Sequence, residues 1–297
     1  MNNYCKTIQN INIKKKVIKV IKIITDSASD ISIEEAKKLD IEIIPMKINI
    51  DGIEYLDGVN ITNLDFFKKL ENCKAIPKTS QITPNEFINA FNKYKDDEII
   101  CITMSSKLSS TYQSAIFAKE EFSNVEVVDS ENVSVGEALL IRLAVDLIKQ
   151  GKNYKEIINT LNEQKKRIRL IALLNTLDYL KKGGRISLAV AFVGGILGIK
   201  PVIEIKDGKV HFIGKARGSK QGNNMLRLKT NEGNGINFNM PFMLGYSGLD
   251  DELLNKYIDD SKDIYPKNTN FDKVLIGSTI GSHIGPKAIC IAYFENK

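Results

Sequence analysis

The side chains best suited to chemistry in this sequence are hydroxyls, and they are concentrated in one stretch. Ser105, Ser106, Ser109, Ser110 and Thr111 fall within Thr103–Ala115. They follow the apolar run Ile99–Thr103, and beyond them Leu108, Tyr112, Ala115, Ile116 and Phe122 recur at helical intervals. A strand therefore hands over to a helix at the serines. In an open α/β sheet that edge is where ligands bind. Hydroxyls at a helix start can cap it or hold an anion, and five exceed what one cap needs. Thr79, Ser80 and Gln81 read as a polar loop before another helix start. Of the two histidines, His211 lies in a strand pattern, while His283 sits in the glycine-flanked stretch Gly281–Gly285, read as a loop. Hydroxyls with an imidazole suit a carboxylate or a phosphate held by neutral donors. Beside an apolar lining they suit an amphipathic acid, with its head held and its tail buried. Each buried methylene is worth about 0.8 kcal/mol, so a long tail would supply most of the affinity and the head its orientation.

Other chemistries find less support. Two histidines without clustered cysteines argue against a transition-metal site. No phosphate-cradling loop or dinucleotide fingerprint occurs. Gly245–Leu249 approaches a nucleophile elbow but ends in leucine where glycine belongs. A serine hydrolase using Ser109 and His283, or a phosphotransferase, is the competing reading, with neither a strained elbow nor an assigned acid. Asp26, Asp30 and Asp129 end strands and could bind magnesium, but capping is the preferred role.

The surrounding elements alternate strand and helix up to about residue 168. Val20–Thr25 and Val125–Val128 read as strands, and Ile41–Ile50 as one extended segment returning through an Asp51–Gly52 hairpin. Thr62 with Asp65 starts a helix. The pairs Ser32/Glu35, Thr83/Glu86, Ser134/Glu137 and Asn153/Glu156 have capping-box spacing. That order favours a parallel sheet covered on both faces. The second half mixes hairpins, such as that at Asp207–Gly208, with isolated helices. The expected fold is α/β in two domains, 19–168 with a parallel sheet and 169–297 with a mixed sheet, after a basic extension over 1–18. The apolar, glycine-rich segment Leu188–Ile199 reads as a buried helix or one wall of an apolar pocket.

The net charge of +6 owes much to Lys6, Lys14, Lys15, Lys16, Lys19 and Lys22, and the rest is nearly balanced. No general nucleic-acid surface is expected, although a basic arm could make salt-dependent contacts. Cys5, Cys73, Cys101 and Cys290 match no zinc or redox spacing, and Cys101 and Cys290, in apolar strand-like runs, read as buried free thiols, which suits a reducing cytoplasm. No apolar stretch reaches the length of a membrane span, and no convincing signal peptide is present.

Six segments together resemble the DegV family of fatty-acid-binding proteins, which includes the FakB subunits of bacterial fatty acid kinase. They are Thr25–Asp30, Lys78–Gln81, Ser105–Ala115, Leu180–Ser187, Ile199–Pro201 and Ile280–Pro286, in family order from about Val20 to Phe294. The resemblance implies two α/β domains with a fatty acid in a tunnel between them. It implies a carboxylate held by Thr79, by Ser109 and by His283. Ser80, Ser106 and Ser27 are secondary ligand-loop candidates, with Ser106 the nearest competitor to Ser109. It implies a non-catalytic carrier, with no cofactor beyond the bound acid, that presents a long-chain fatty acid to a partner kinase for phosphorylation to an acyl phosphate. Arg185 and Arg217 match basic positions that could face that kinase, although Arg185 could instead anchor a loop. A cytoplasmic location with transient membrane-surface contact is expected. Ser110 and Lys287 stand where glycine is usual, and Ile82 where proline is.

Overall fold

The computed structural model describes residues 20–186 and 198–297. The basic extension over 1–18 lies outside them, as does nearly all of the apolar segment expected to wall a pocket. The chain runs β1 (Ile21–Asp26), α1 (Ile33–Leu39), β2 (Ile41–Ile44), β3 (Lys47–Ile50), β4 (Ile53–Leu56), α2 (Asn63–Asn72) and β5 (Lys78–Ser80). It continues with α3 (Pro84–Lys93), β6 (Glu98–Thr103), α4 (Thr111–Lys119), β7 (Val125–Asp129), α5 (Ser134–Lys149) and α6 (Tyr154–Gln164). Then come β8 (Ile168–Leu173), α7 (Asp178–Lys182), β9 (Ile199–Lys206), β10 (Lys209–Arg217) and α8 (Gly218–Asn231). The last elements are β11 (Phe242–Tyr246), α9 (Glu252–Asp260), β12 (Lys273–Leu275), α10 (Ser278–Ile284) and β13 (Ile289–Phe294).

These strands form a parallel sheet in the order β2-β1-β6-β7, a small antiparallel sheet β4-β3-β5, and a mixed sheet β10-β9-β8-β13-β11-β12. The fold is α/β, with a parallel-sheet N-terminal part and a mixed-sheet C-terminal part. Strands β1 and β6 are buried on both faces, as parallel strands covered by helices must be. Helix α5 is apolar nearly all round because it packs against β1 on one side and β8, β11 and β13 on the other. One core therefore runs from Ile23 to Phe294 across both parts.

Four local expectations need correction. The extended segment 41–50 is two strands in different sheets. It breaks at Pro45, which cannot donate to a ladder. Thr79 and Ser80 lie not in a loop but in β5, where Thr79 pairs with Ile48. The spacing of Ser134 and Glu137 is not a capping box. Ser134 has φ 55 and gives its hydroxyl to Asp30, while Glu137 is buried with Thr25 Oγ1 at 3.2 Å. Residues 280–284 are not loop but the end of α10. Helix α10 comes late in sequence yet packs on α2, with Gly281 against Phe66 and Phe67. A Cβ at Gly281 would come within 2.7 Å of the Phe66 ring, so glycine is required there by packing.

Candidate functional site

A cavity of about 420 Å³ lies between the parallel and mixed sheets. Strand alternation makes its floor. On β8, Leu170 and Ala172 face the cavity while Ile171 and Leu173 face a separate core on the other side of the sheet. Ile203 and Ile205 of β9, Val210 of β10 and Cys290 of β13 extend that apolar surface. Ile280 and Ile284 of α10 form the opposite wall, with Met46 and Met104 closing the side.

The polar groups converge at one place. Thr79, fixed by its pairing in β5, reaches His283 in the last turn of α10, with Oγ1 and Nε2 2.8 Å apart. His283 Nδ1 is buried and has no hydrogen-bond partner among the described residues. Burial pushes the imidazole pKa down to about 4, and the nearby Arg185 adds to the shift. The ring is therefore neutral at pH 7. Gly183, after α7, permits the close approach, because a Cβ there would lie 2.5 Å from Nδ1. Gly285 holds the far end of α10. Its φ of 71 and the Tyr179 ring against it leave no room for a side chain.

Ser109 lies at the mouth of α4. Its Oγ accepts from the Thr111 N–H at 3.2 Å and lies 2.9 Å from the Thr111 hydroxyl. No hydrogen bond joins Ser109 to His283 among the described residues, so the two do not form a nucleophile–base pair. Arg185 also lines the cavity. Its guanidinium donates to the carbonyls of Leu108 and Gly183, tying the serine loop to the turn beside His283. It anchors a loop and brings positive charge to the polar end.

Of the residues singled out in the sequence, Thr79, Ser80, Gln81, Ser109, Ser110, Arg185 and His283 line the cavity. Ser27, Ser106 and Arg217 are not among its described lining residues. Ser27 Oγ donates to Asp57 and accepts from the Met46 N–H. The Ser106 N–H donates to Asp129. Arg217 is exposed at the end of β10. The strand-end acids do cap backbone: Asp26 accepts from Ala28 and Met104, and Asp129 from Ser106 and Glu131. Sequence reasoning missed Thr279 in the lining and Asp57 behind it, since neither stands in a recognisable spacing. Among the described residues, no group of three or more His, Cys, Asp or Glu side chains is placed to hold a metal ion. No described helix is long and apolar enough to cross a membrane.

The profile described as "Uncharacterised protein, DegV family" matches residues 20–296. The chain belongs to the DegV family. A DegV domain-containing protein of Caldanaerobacter subterraneus subsp. tengcongensis is 36% identical over 281 residues, covering 93% of this chain and 99% of the relative. Among solved structures, a fatty-acid-binding DegV family protein from Thermus thermophilus superposes with a TM-score of 0.81 at 29% identity, covering 93% of this chain and 99% of that one. A stearic acid-binding protein from Eubacterium ventriosum gives a TM-score of 0.81 at 28% identity, covering 93% and 98%. The DegV relationship thus spans nearly all of the described residues.

Proposed function

We propose that this chain binds one long-chain fatty acid in the cavity between its sheets, with the carboxylate at Thr79, Ser109 and His283. The observation that carries this reading is the Thr79–His283 pair at the polar end of a mainly apolar cavity. Related DegV structures that bind fatty acids support it. The neutral imidazole has a definite task. In the tautomer with hydrogen on Nε2, it donates to Thr79 Oγ1, and the Thr79 O–H is then free to donate to the carboxylate. Ser109 Oγ accepts from the Thr111 N–H, and when the Thr111 hydroxyl is the donor of the pair between them the Ser109 hydrogen serves the same anion. Arg185 adds charge from the wall. A cavity lined by apolar groups with a few convergent donors is the usual form of a small-molecule site.

The carrier reading extends to a partner: the bound acid is presented to a kinase that phosphorylates its carboxyl group, while this chain makes no bonds itself. The Ser109–Thr111 pairing favours this over a hydrolase, because the serine faces no base. Two assays test the reading. Carboxyl-labelled stearic acid should show a carbon-13 shift on binding that changes in Thr79→Val. With a fatty acid kinase and ATP, acyl phosphate should form only when this chain is present. Turnover of acyl esters by the chain alone, lost in Ser109→Ala, would favour the hydrolase instead.

A further inference from the structure

Helix α10 carries His283, yet nothing in its own sequence caps it: Gly277 at its N-cap has no side chain. Its free N–H groups are satisfied by two carboxylates from the opposite end of the chain. Asp30 Oδ1 accepts from the Gly277 N–H at 2.8 Å. Asp57 accepts from the N–H groups of Ser278 and Thr279, each at 3.2 Å, and from the Thr279 hydroxyl at 2.6 Å. Asp57 is 4% exposed and is itself held by the Ser27 hydroxyl and by its own N–H to Met46. A Cβ at Gly277 would lie 2.8 Å from Asp30 Oδ1, so the backbone is drawn right onto the carboxylate. Thr279 and His283 are one helical turn apart and both line the cavity.

We infer that Asp57, assisted by Asp30, is a positioning residue for head-group recognition. It sets the height and rotation of α10, and so the distance from His283 to Thr79. Two features favour this over simple structural support. The ligand-facing Thr279 is bonded directly to Asp57, which leaves α10 little freedom to turn. The Thr79–His283 bond joins elements 204 residues apart, and carboxylates at one end of α10 fix what its other end can reach. The inference rests on the proposed carboxylate site.

The test compares dissociation constants for stearic acid and for 1-octadecanol, which keeps the tail but carries no charge. His283→Ala should weaken stearic acid about tenfold or more and 1-octadecanol several-fold less. Asp57→Ala should reproduce that selective loss, and in the His283→Ala background it should add nothing further. Asp57→Asn retains one acceptor and should fall between, and it serves if the alanine variant does not fold. Equal weakening of both ligands by the Asp57 variants, or losses that multiply in the double variant, would overturn the positioning role. A His283→Ala protein that binds stearic acid normally would overturn the carboxylate site itself, and the positioning role with it. A silent Asp57 variant beside an impaired His283 variant would overturn only the positioning role.

Discussion

At the residue scale the site turns on a buried imidazole that stays neutral. An ordinary histidine titrates near 6.5, and burial beside Arg185 takes His283 to about 4. The free protein therefore keeps His283 uncharged at pH 6, whereas in the unfolded chain it is mostly protonated there. His283 thus costs stability as pH falls from 6.5 towards 4. A bound carboxylate favours the charged ring and should raise its pKa. Proton NMR of the imidazole, assigned with one variant because the chain has two histidines, should show titration near pH 4 when empty and higher with stearic acid. An unchanged titration would argue that no anion sits beside the ring. Thr79→Val keeps the shape of β5 and removes the hydroxyl. Its expected cost is about tenfold to a hundredfold in stearic acid affinity, the worth of a hydrogen bond to a charged group.

At the scale of elements, the site depends on how α7 and α10 meet. Gly285 has φ 71 and ψ −174, a region open essentially to glycine alone. A Cβ there would lie 2.3 Å from the Tyr179 ring. Gly285→Ala should lower stability by about 2 kcal/mol or more, from strain plus overpacking. Gly52→Ala, in an exposed turn with nothing within 4 Å, should cost less, and denaturant titration of both variants measures the difference. The same contrast between local and distant causes explains what the sequence could show. The capping boxes at Thr83/Glu86 and Asn153/Glu156 are present as read, because every partner lies within one turn, while at Ser32/Glu35 the serine cap forms without the reciprocal glutamate bond. The Asp51–Gly52 and Asp207–Gly208 hairpins are equally local, with both residues of each turn at positive φ. Ser134 and Glu137 have the same spacing as a capping box but are claimed by Asp30 and Thr25. Helix α10 escaped notice because its glycines argue against a helix. What makes it one lies in Asp30, Asp57, Phe66 and Phe67, more than two hundred residues earlier. Thr79 and His283 could each be named from the chain, but their hydrogen bond exists only once β5 and α10 are packed together.

At the scale of the whole molecule, the two parts share one core and enclose a cavity between them, so ligand and fold should stabilise each other. A ligand at a hundred times its dissociation constant adds about 2.7 kcal/mol, so delipidated protein should melt lower and regain its midpoint on adding stearic acid. A second global property follows from the acids beneath the cavity. Burial raises Asp26 to about 7 and Asp30 to about 8, so the folded state holds protons that the unfolded chain has released above pH 3.8. Stability from these groups is therefore lost as pH rises through that interval. Between pH 6.5 and 8 the melting temperature should fall, and Asp26→Asn should flatten the slope. The most direct test of the central claim is native mass spectrometry of the purified protein, followed by solvent extraction and lipid analysis. One long-chain fatty acid per chain is the expected result, with occupancy reduced in Thr79→Ala and His283→Ala. A protein that emerges empty and takes up no added fatty acid would contradict it.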